Sequence, residues 1–593
     1  MERKEIAEKY KWNLEVIYPS DEAWETEYKA AEKEYGDYDF SAFQGKMGDK
    51  AKALEFFKLR DTMFRRLEKL YLYASMRHDE DLRVSKYTSY TAMMSSLISK
   101  LMAAMAFVEP ELTALSDEKL QSYISDPDFA DYDYSLKKIA KSKAHVLSEG
   151  EEKLLALASD VMGGFHTVFS MLDNANLNLP KGRFGGKEVQ MSHGMYGLVL
   201  HSGTREERET WFKTYYKAYI NLVDAITQTY YGNVKKDIFY KTARNYASCM
   251  DMAMDGEDVS PVVYGNLIEA VHAALPVMHK YISLRKKILG FDEQHMYDIY
   301  VPLVSDADIK VPFEEAYELV IKGLAPLGED YQNLLRRGRD ERWIDVYETE
   351  GKRSGAYSTG VYDTHPYVLL NYQETTNEIF TIAHEMGHSI HTYKSTSGQP
   401  YPKSEYTIFL AEIASTVNEV LLMKYLYSTT EDKNLKKYLL NYYIDMIRTT
   451  LFRQTQFAEF EQIAHAKAEA GEPLTKENLC EVYYKLNKEY YGAGIVHDEE
   501  IAYEWARIPH FYRSFYVYKY STGIISAISI VKRILSEGDK AVKDYFEFLS
   551  GGNCTDPVSI LKKAGVDLTS KAPFETAMKE FEDTLNEFEK LTD

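Results

Sequence analysis

Cysteine is scarce: Cys249, Cys480 and Cys554 are the three in a chain of 593 residues. They are odd in number, far apart and form no metal-type pair, which argues against a disulfide framework and fits a reducing compartment. No uninterrupted apolar run approaches the length of a bilayer span. The opening stretch, MERKEIAEKYKWNLEVIYPS, lacks the apolar centre of a secretory signal. The expected location is the cytoplasm. Positive charge is also short: 71 Lys and Arg against 92 Asp and Glu leave a net −21. That balance would repel phosphate backbones and anionic lipid, so neither nucleic acid nor a membrane is an expected partner. Low-complexity segments and short-period repeats are missing too.

What is present is a globular composition, 45% hydrophobic with 27% charged, in a chain too long for one core, so two or more lobes are expected. Helical periodicity dominates. In TREERETWFKTYYKAYINLVDAI, Phe212, Tyr215, Tyr216, Tyr219, Leu222, Val223 and Ile226 share one stripe, and Thr204 with Glu207 supplies a capping box. Strand signals are few. RFGGKEVQM (183–191) reads as a small hairpin, and WIDVY and PYVLLNY, within 342–373, read as a small sheet just before the helix that matters most. The glycine-bearing stretch 178–194 is the expected joint, which gives an N-terminal helical lobe (1–200) and a catalytic domain (201–593). With 49 tyrosines in the chain, any single tyrosine is a weak catalytic signal.

The informative stretch is TIAHEMGHSIHTY, residues 381–393. A helix over about 378–393 is expected, opened by Thr375 and Glu378 as a second capping box and buried through Ile379, Ile382, Ala383, Met386 and Ile390. His384 and His388 are one turn apart plus about 40°, so both imidazoles can reach a single ion. Glu385, beside the first, can hold a water. Imidazole suits Zn²⁺, and a catalytic site needs a third protein donor with one position left open. The metzincin extension fails, because it requires Gly at 391 and His at 394 where His391 and Lys394 stand.

A second helix, about 405–427, follows the turn-rich STSGQPYPKS. A short connection makes the two helices antiparallel neighbours. Glu412, Ser415 and Glu419 share a side, so Glu412 can complete the metal set, and Glu419, nearly eclipsing it seven residues on, can orient a ligand imidazole. A carboxylate pair on a buried face without a cation would be costly.

At this point AHEMGHSIH followed by AEIASTVNE resembles the thimet-type zinc oligopeptidases, in particular their oligoendopeptidase F branch. KRSGAYSTGVYDTHPYVLLNY, WARIPHFYRSFYVYKYSTG and the N-terminal WNLEVIYPSDEAWETEY extend the likeness along the whole chain. The resemblance implies a mainly α, two-lobed zinc peptidase with a deep central channel and a small β-sheet beside the HExxH helix. It implies one Zn²⁺ on His384, His388 and Glu412, Glu385 as general base, and oligopeptides as substrates of a monomer or small homo-oligomer. It also implies a C-terminal His and tyrosines around the bound peptide. His510, Tyr512, Tyr516 and Tyr518 fall in that region, with Tyr518 as the expected oxyanion donor. In the sheet segment, YDTHPYVLLNY is expected to be an edge strand that pairs with an extended peptide, with Tyr357 and His365 approaching the scissile region.

Two rival classes share part of this pattern. A metallocarboxypeptidase uses the same ligands but trims C-termini. A peptide-binding protein with a structural metal would close the fourth position with protein and have no use for Glu385.

Overall fold

A computed structural model describes residues 1–304 and 310–592. Among the described residues the protein is 73% helical with two small sheets, which bears out the mainly α expectation. It folds as two compact units, each assembled from three chain segments. Unit 1 comprises Met1–Val146, Asp308–Tyr425 and Ile530–Val566, and unit 2 comprises Leu147–Ala307, Leu426–Ser529 and Asp567–Asp593. These units run across the expected division near residue 200.

Unit 1 contains a three-stranded mixed sheet. Strand β1 (Ile344–Asp345) runs parallel to β3 (Tyr367–Leu369), and β2 (Tyr357–Thr359) runs antiparallel on the other side, so the order is β1-β3-β2. The YVLLNY segment is therefore central and not the expected edge. Tyr367, Val368 and Leu369 are all buried, and a strand apolar on both faces belongs in the middle of a sheet. The outer positions fall to β1 and β2, and the three residues of β2 are each half-buried.

Helices Asp21–Tyr35, Lys50–Glu80 and Ser85–Ala104 build the layer beneath this sheet. Their core includes Trp12, Trp24, Phe56, Met63 and Tyr73, and it is continuous with Tyr367 and Leu369 of β3. The Trp24 indole stacks on Tyr90 at 3.9 Å and donates to the Leu70 carbonyl at 2.9 Å. The N-terminal helices thus support the strand that leads into the HExxH helix.

A buried charge cluster ties the first residues of the chain to the sheet. Asp345 pairs with Lys352 at 2.7 Å and with Arg3 at 2.6 Å, and Arg3 also reaches Glu80 at 2.8 Å. The Lys352 ammonium, its side chain enclosed, donates further to the carbonyls of Tyr347 (2.8 Å) and Leu370 (2.5 Å). Such a pair contributes little by itself, but breaking it strands a charge.

Unit 2 is organised on the helix Arg205–Ala243, which opens with the expected Thr204–Glu207 capping box and buries Phe212, Tyr215, Tyr216, Tyr219, Val223 and Ile226. The expected hairpin is present: Lys181–Phe184 pairs with Lys187–Gln190 around Gly185 (φ 57°) and Gly186 (φ 77°). Consecutive positive φ values define the turn that matches strand twist.

Two helical stretches, Ser85–Thr113 and Gly150–Asn176, reach the length and mean hydropathy of a bilayer span, although neither holds an uninterrupted apolar run of that length. Ser85–Ala104 sends Tyr90, Met94, Leu97 and Leu101 from one face into the core of unit 1.

Replacing Lys352 by Met should leave Asp345 enclosed with one partner fewer and destabilise the protein by about 3 kcal/mol. Chemical denaturation followed by circular dichroism measures this, and parental stability would remove the cluster from the account.

Candidate active site

Two helices of unit 1 build the site, α1 (Thr376–Gly398) and α2 (Ile408–Thr429). Thr375 caps α1 by accepting the Glu378 N–H at 3.4 Å, which forms one half of the expected capping box. Ile379, Ile382, Ala383, Met386 and Ile390 are buried as the periodicity requires. The half-buried corner of the same helix then carries His384 and His388.

The closeness of α2 depends on Gly387. A Cβ built there would lie 2.6 Å from the Ser415 Cα and 2.7 Å from the Ala414 oxygen, distances no side chain tolerates. The register is locked by Asn418, whose Nδ2 donates to the Ala383 carbonyl at 2.9 Å while its Oδ1 accepts from the Tyr331 hydroxyl at 2.8 Å. On the sheet side, Ser389 of α1 hydrogen-bonds Ser358 of β2 at 2.8 Å.

With the helices so placed, three donor atoms converge. His384 Nε2 and His388 Nε2 lie 3.1 Å apart, and Glu412 Oε2 lies 3.4 and 3.6 Å from them. Three donors about 2.0–2.1 Å from one tetrahedral ion would stand about 3.3–3.4 Å from each other. The residues fit a metal. Among the described residues this is the group of three or more His, Cys, Asp and Glu side chains that could hold one.

The surroundings tune each donor. Glu419 Oε1 accepts the His384 Nδ1–H at 2.6 Å, which leaves Nε2 for the ion. The His388 ring hydrogen-bonds the Ala411 backbone. Burial opposes a charge on His384, but its bonds to Glu412 and Glu419 outweigh this and hold its pKa up at about 10. Burial and the neighbouring His384 charge push His388 down to about 4. Burial would raise Glu412, but the His384 hydrogen bond and both imidazoles' charges hold it below the usual carboxylate range. The two carboxylates thus favour positive charge where the imidazoles meet.

Glu385 is buried and raised to about 7, chiefly by burial, with the charges of Glu412 and Glu419 adding to it against that of His384. Its Oε2 is enclosed without a hydrogen-bond partner among the described residues. The third histidine, His391, is turned into the core, stacked on Tyr406 at 3.7 Å and driven down to about 3 by burial. It packs the helix and does not join the donors.

The other expected residues are engaged elsewhere. The Tyr357 hydroxyl donates to Asp79 at 2.7 Å. His365 stacks on Trp343 at 5.0 Å, and its Nδ1 bonds the Pro366 carbonyl. In unit 2, Tyr512 is buried against Phe169 at 4.3 Å with its hydroxyl on Thr229, and Tyr518 is enclosed against Tyr264 at 5.2 Å. His510 is exposed, with half-buried Tyr516 parallel to it at 6.2 Å and the Tyr520 hydroxyl 3.5 Å from its Nε2. Tyr520 was not singled out from sequence. Tyr518 and Tyr520 stand about 200° apart on the helix they open, so if one faces the core the other faces out. Gly387 and Asn418 were likewise passed over, because each acts on a backbone that only the packed pair of helices brings near.

The helical scaffold, the two imidazoles one turn apart and the glutamate from the neighbouring helix define a metallopeptidase. Residues 198–580 match the profile of peptidase family M3, and residues 111–178 match that of oligopeptidase F. The chain is 44% identical to oligopeptidase PepF of Bacillus subtilis over 593 residues, covering 100% of this chain and 88% of that protein. It is 39% identical to the group B oligopeptidase PepB of Streptococcus agalactiae, covering 99% and 98%. Among solved structures, the oligoendopeptidase-F of Enterococcus faecium is similar with a TM-score of 0.73 at 35% identity, covering 97% of this chain and 98% of that one. The chain belongs to peptidase family M3, among its oligoendopeptidases.

Replacing Gly387 by Ala should push α2 away and lower bound metal well below one ion per chain, read by elemental analysis of the purified protein. Gly265, a helical glycine with open space around it, is the control, and its replacement by Ala should stabilise by about 1 kcal/mol. Full metal occupancy in the Gly387 variant would show that the close approach is not needed.

Proposed function

We propose that the protein is a zinc endopeptidase that cuts internal bonds of short, unfolded oligopeptides, with one Zn²⁺ per chain on His384, His388 and Glu412. The observation that carries this reading is the spacing of the three donor atoms, 3.1, 3.4 and 3.6 Å. Two imidazoles and a carboxylate suit Zn²⁺, and three protein donors leave a fourth position for water. A zinc ion bound there supplies a Lewis acid for the scissile carbonyl and acidifies water.

The chain's own residues do the rest. Glu385 takes the proton of the attacking water and returns it to the leaving amine, a role that suits a carboxyl drawn towards neutrality by burial. Glu419 fixes the tautomer and plane of His384. The outer edge of β2 offers main-chain hydrogen bonds to an extended peptide, which reads backbone and gives loose side-chain preference. Tyr357 and His365, committed to Asp79 and Trp343, hold that region in shape rather than grip substrate through their polar atoms.

The resemblance assigns His510 and a tyrosine to the developing oxyanion. Exposure favours Tyr520 or Tyr516 over the enclosed Tyr518 and Tyr512, since a donor has to come within about 3 Å of the substrate oxygen. The location remains the cytoplasm, the partners remain oligopeptides met by a monomer or small homo-oligomer, and the chemistry lies C-terminal to about residue 200. A net charge of −21 keeps nucleic acid and anionic membranes out of this reading.

Glu385→Gln should retain bound zinc and lose turnover by about 10³-fold, whereas Glu412→Ala should lose the metal itself. Mass spectrometry of peptides blocked at both ends, run beside metal analysis, reads both. Uncut blocked peptides with trimmed free ones would point to a carboxypeptidase instead.

Tyr520→Phe should lower kcat by about 10²-fold, and Tyr518→Phe should lower it less. The reverse order in steady-state kinetics would return the donor to Tyr518.

A further inference from the structure

The segment 510–516 of unit 2 alternates in an uncommon way. His510 and Arg513 are exposed and Tyr516 is half-buried, while Phe511, Tyr512 and Phe515 are buried and Ser514 is half-buried. The inward residues are pinned one by one. Thr229, Asn233 and Asp237 stand four apart on the Arg205–Ala243 helix and share a stripe. Thr229 meets the Tyr512 hydroxyl at 2.6 Å, and Asn233 Nδ2 donates to the Phe511 carbonyl at 3.3 Å and to Ser514 Oγ at 3.2 Å. The Ser514 hydroxyl donates to Asp237 Oδ2 at 2.5 Å.

A second helix, Arg453–Glu469, closes the network. His465 Nε2 donates to the same Asp237 oxygen at 3.2 Å, and Nδ1 donates to the Glu461 carbonyl at 2.9 Å. Both ring nitrogens therefore face acceptors, which favours the imidazolium as counter-ion to Asp237. Lys236 adds its ammonium at 3.3 Å from Asp237 Oδ1. Glu461 takes the backbone N–H of Phe515, a residue held at φ +56°, where a bulky side chain is strained.

Asp237 and His465 are 7% and 1% exposed. Apolar packing would fold this turn at least as well, since a buried ion pair adds little net stability. What a satisfied polar network adds is one geometry in place of several. The residues that gain from that geometry are the outward ones, His510 with Tyr516 and Tyr520 beside it.

We propose that Asp237, with His465 as its counter-ion, is a positioning residue for peptide hydrolysis that fixes the turn presenting His510. This rests on the reading above that the His510 segment contacts the substrate.

The test is a double-mutant cycle on the metal-loaded, full-length enzyme with an end-blocked fluorogenic peptide. Asp237→Asn should lower kcat about tenfold with KM and metal content close to the parent. In a His510→Ala background the same change should alter kcat by less than about twofold, because the group it positions is gone. Ser514→Ala, which leaves the ion pair in place, should reproduce the kcat loss and serves if Asp237→Asn folds poorly. Parental kcat in both variants beside an impaired His510→Ala enzyme overturns the inference alone, as do losses that multiply in the double variant. An unimpaired His510→Ala enzyme overturns the underlying reading and the inference with it.

Discussion

How near two helices can come decides whether this protein has a metal site at all. The carboxylate of Glu412 has a short reach, and it lies 3.4 and 3.6 Å from the imidazole nitrogens because the backbone of α2 rests where a side chain on residue 387 would otherwise be. Asn418 then fixes the axial register through the Ala383 carbonyl. A slip of one residue would turn Glu412 by about 100° around its helix and take the third donor out of reach. The absence of one methyl group and the presence of one amide set the spacing of the three donor atoms.

The same helix is tied to the sheet through Ser389 and Ser358, and the sheet is tied to the N-terminal layer by the continuous core at Tyr367 and Leu369 and by the Arg3–Asp345–Lys352 cluster. The first residues of the chain thus brace the strands on which the histidine-bearing helix rests. Electrostatics follow the packing. Burial drives Glu385 up while the carboxylates around His384 keep that imidazole basic, so neighbouring residues of one motif are pushed in opposite chemical directions by the positions the fold gives them.

The HExxH spacing, the apolar face of α1 and the choice of Glu412 and Glu419 were legible because each follows from helical periodicity within some thirty-five residues. The central place of Tyr367–Leu369 was missed: PYVLLNY is apolar on both faces, which says interior strand, and the expectation of a peptide-pairing edge set that pattern aside. Tyr518 and Tyr520 could be told apart only once the first turn of their helix was known to open at residue 518. Asp237, Glu461, His465 and Ser514 were out of reach of any local pattern. They come from three separated stretches of sequence and acquire meaning from hydrogen bonds that no spacing rule encodes.

The three candidate metal donors are translated close together, yet unit 1 also includes Ile530–Val566 from far downstream. A nascent chain therefore carries its ligands out of the ribosome long before the scaffold around them can close, since compact units fold as wholes. Hydrolytic competence must wait for the last stretch of translation, and a truncated product of stalled synthesis would be a protein with the right donors and no enzyme around them.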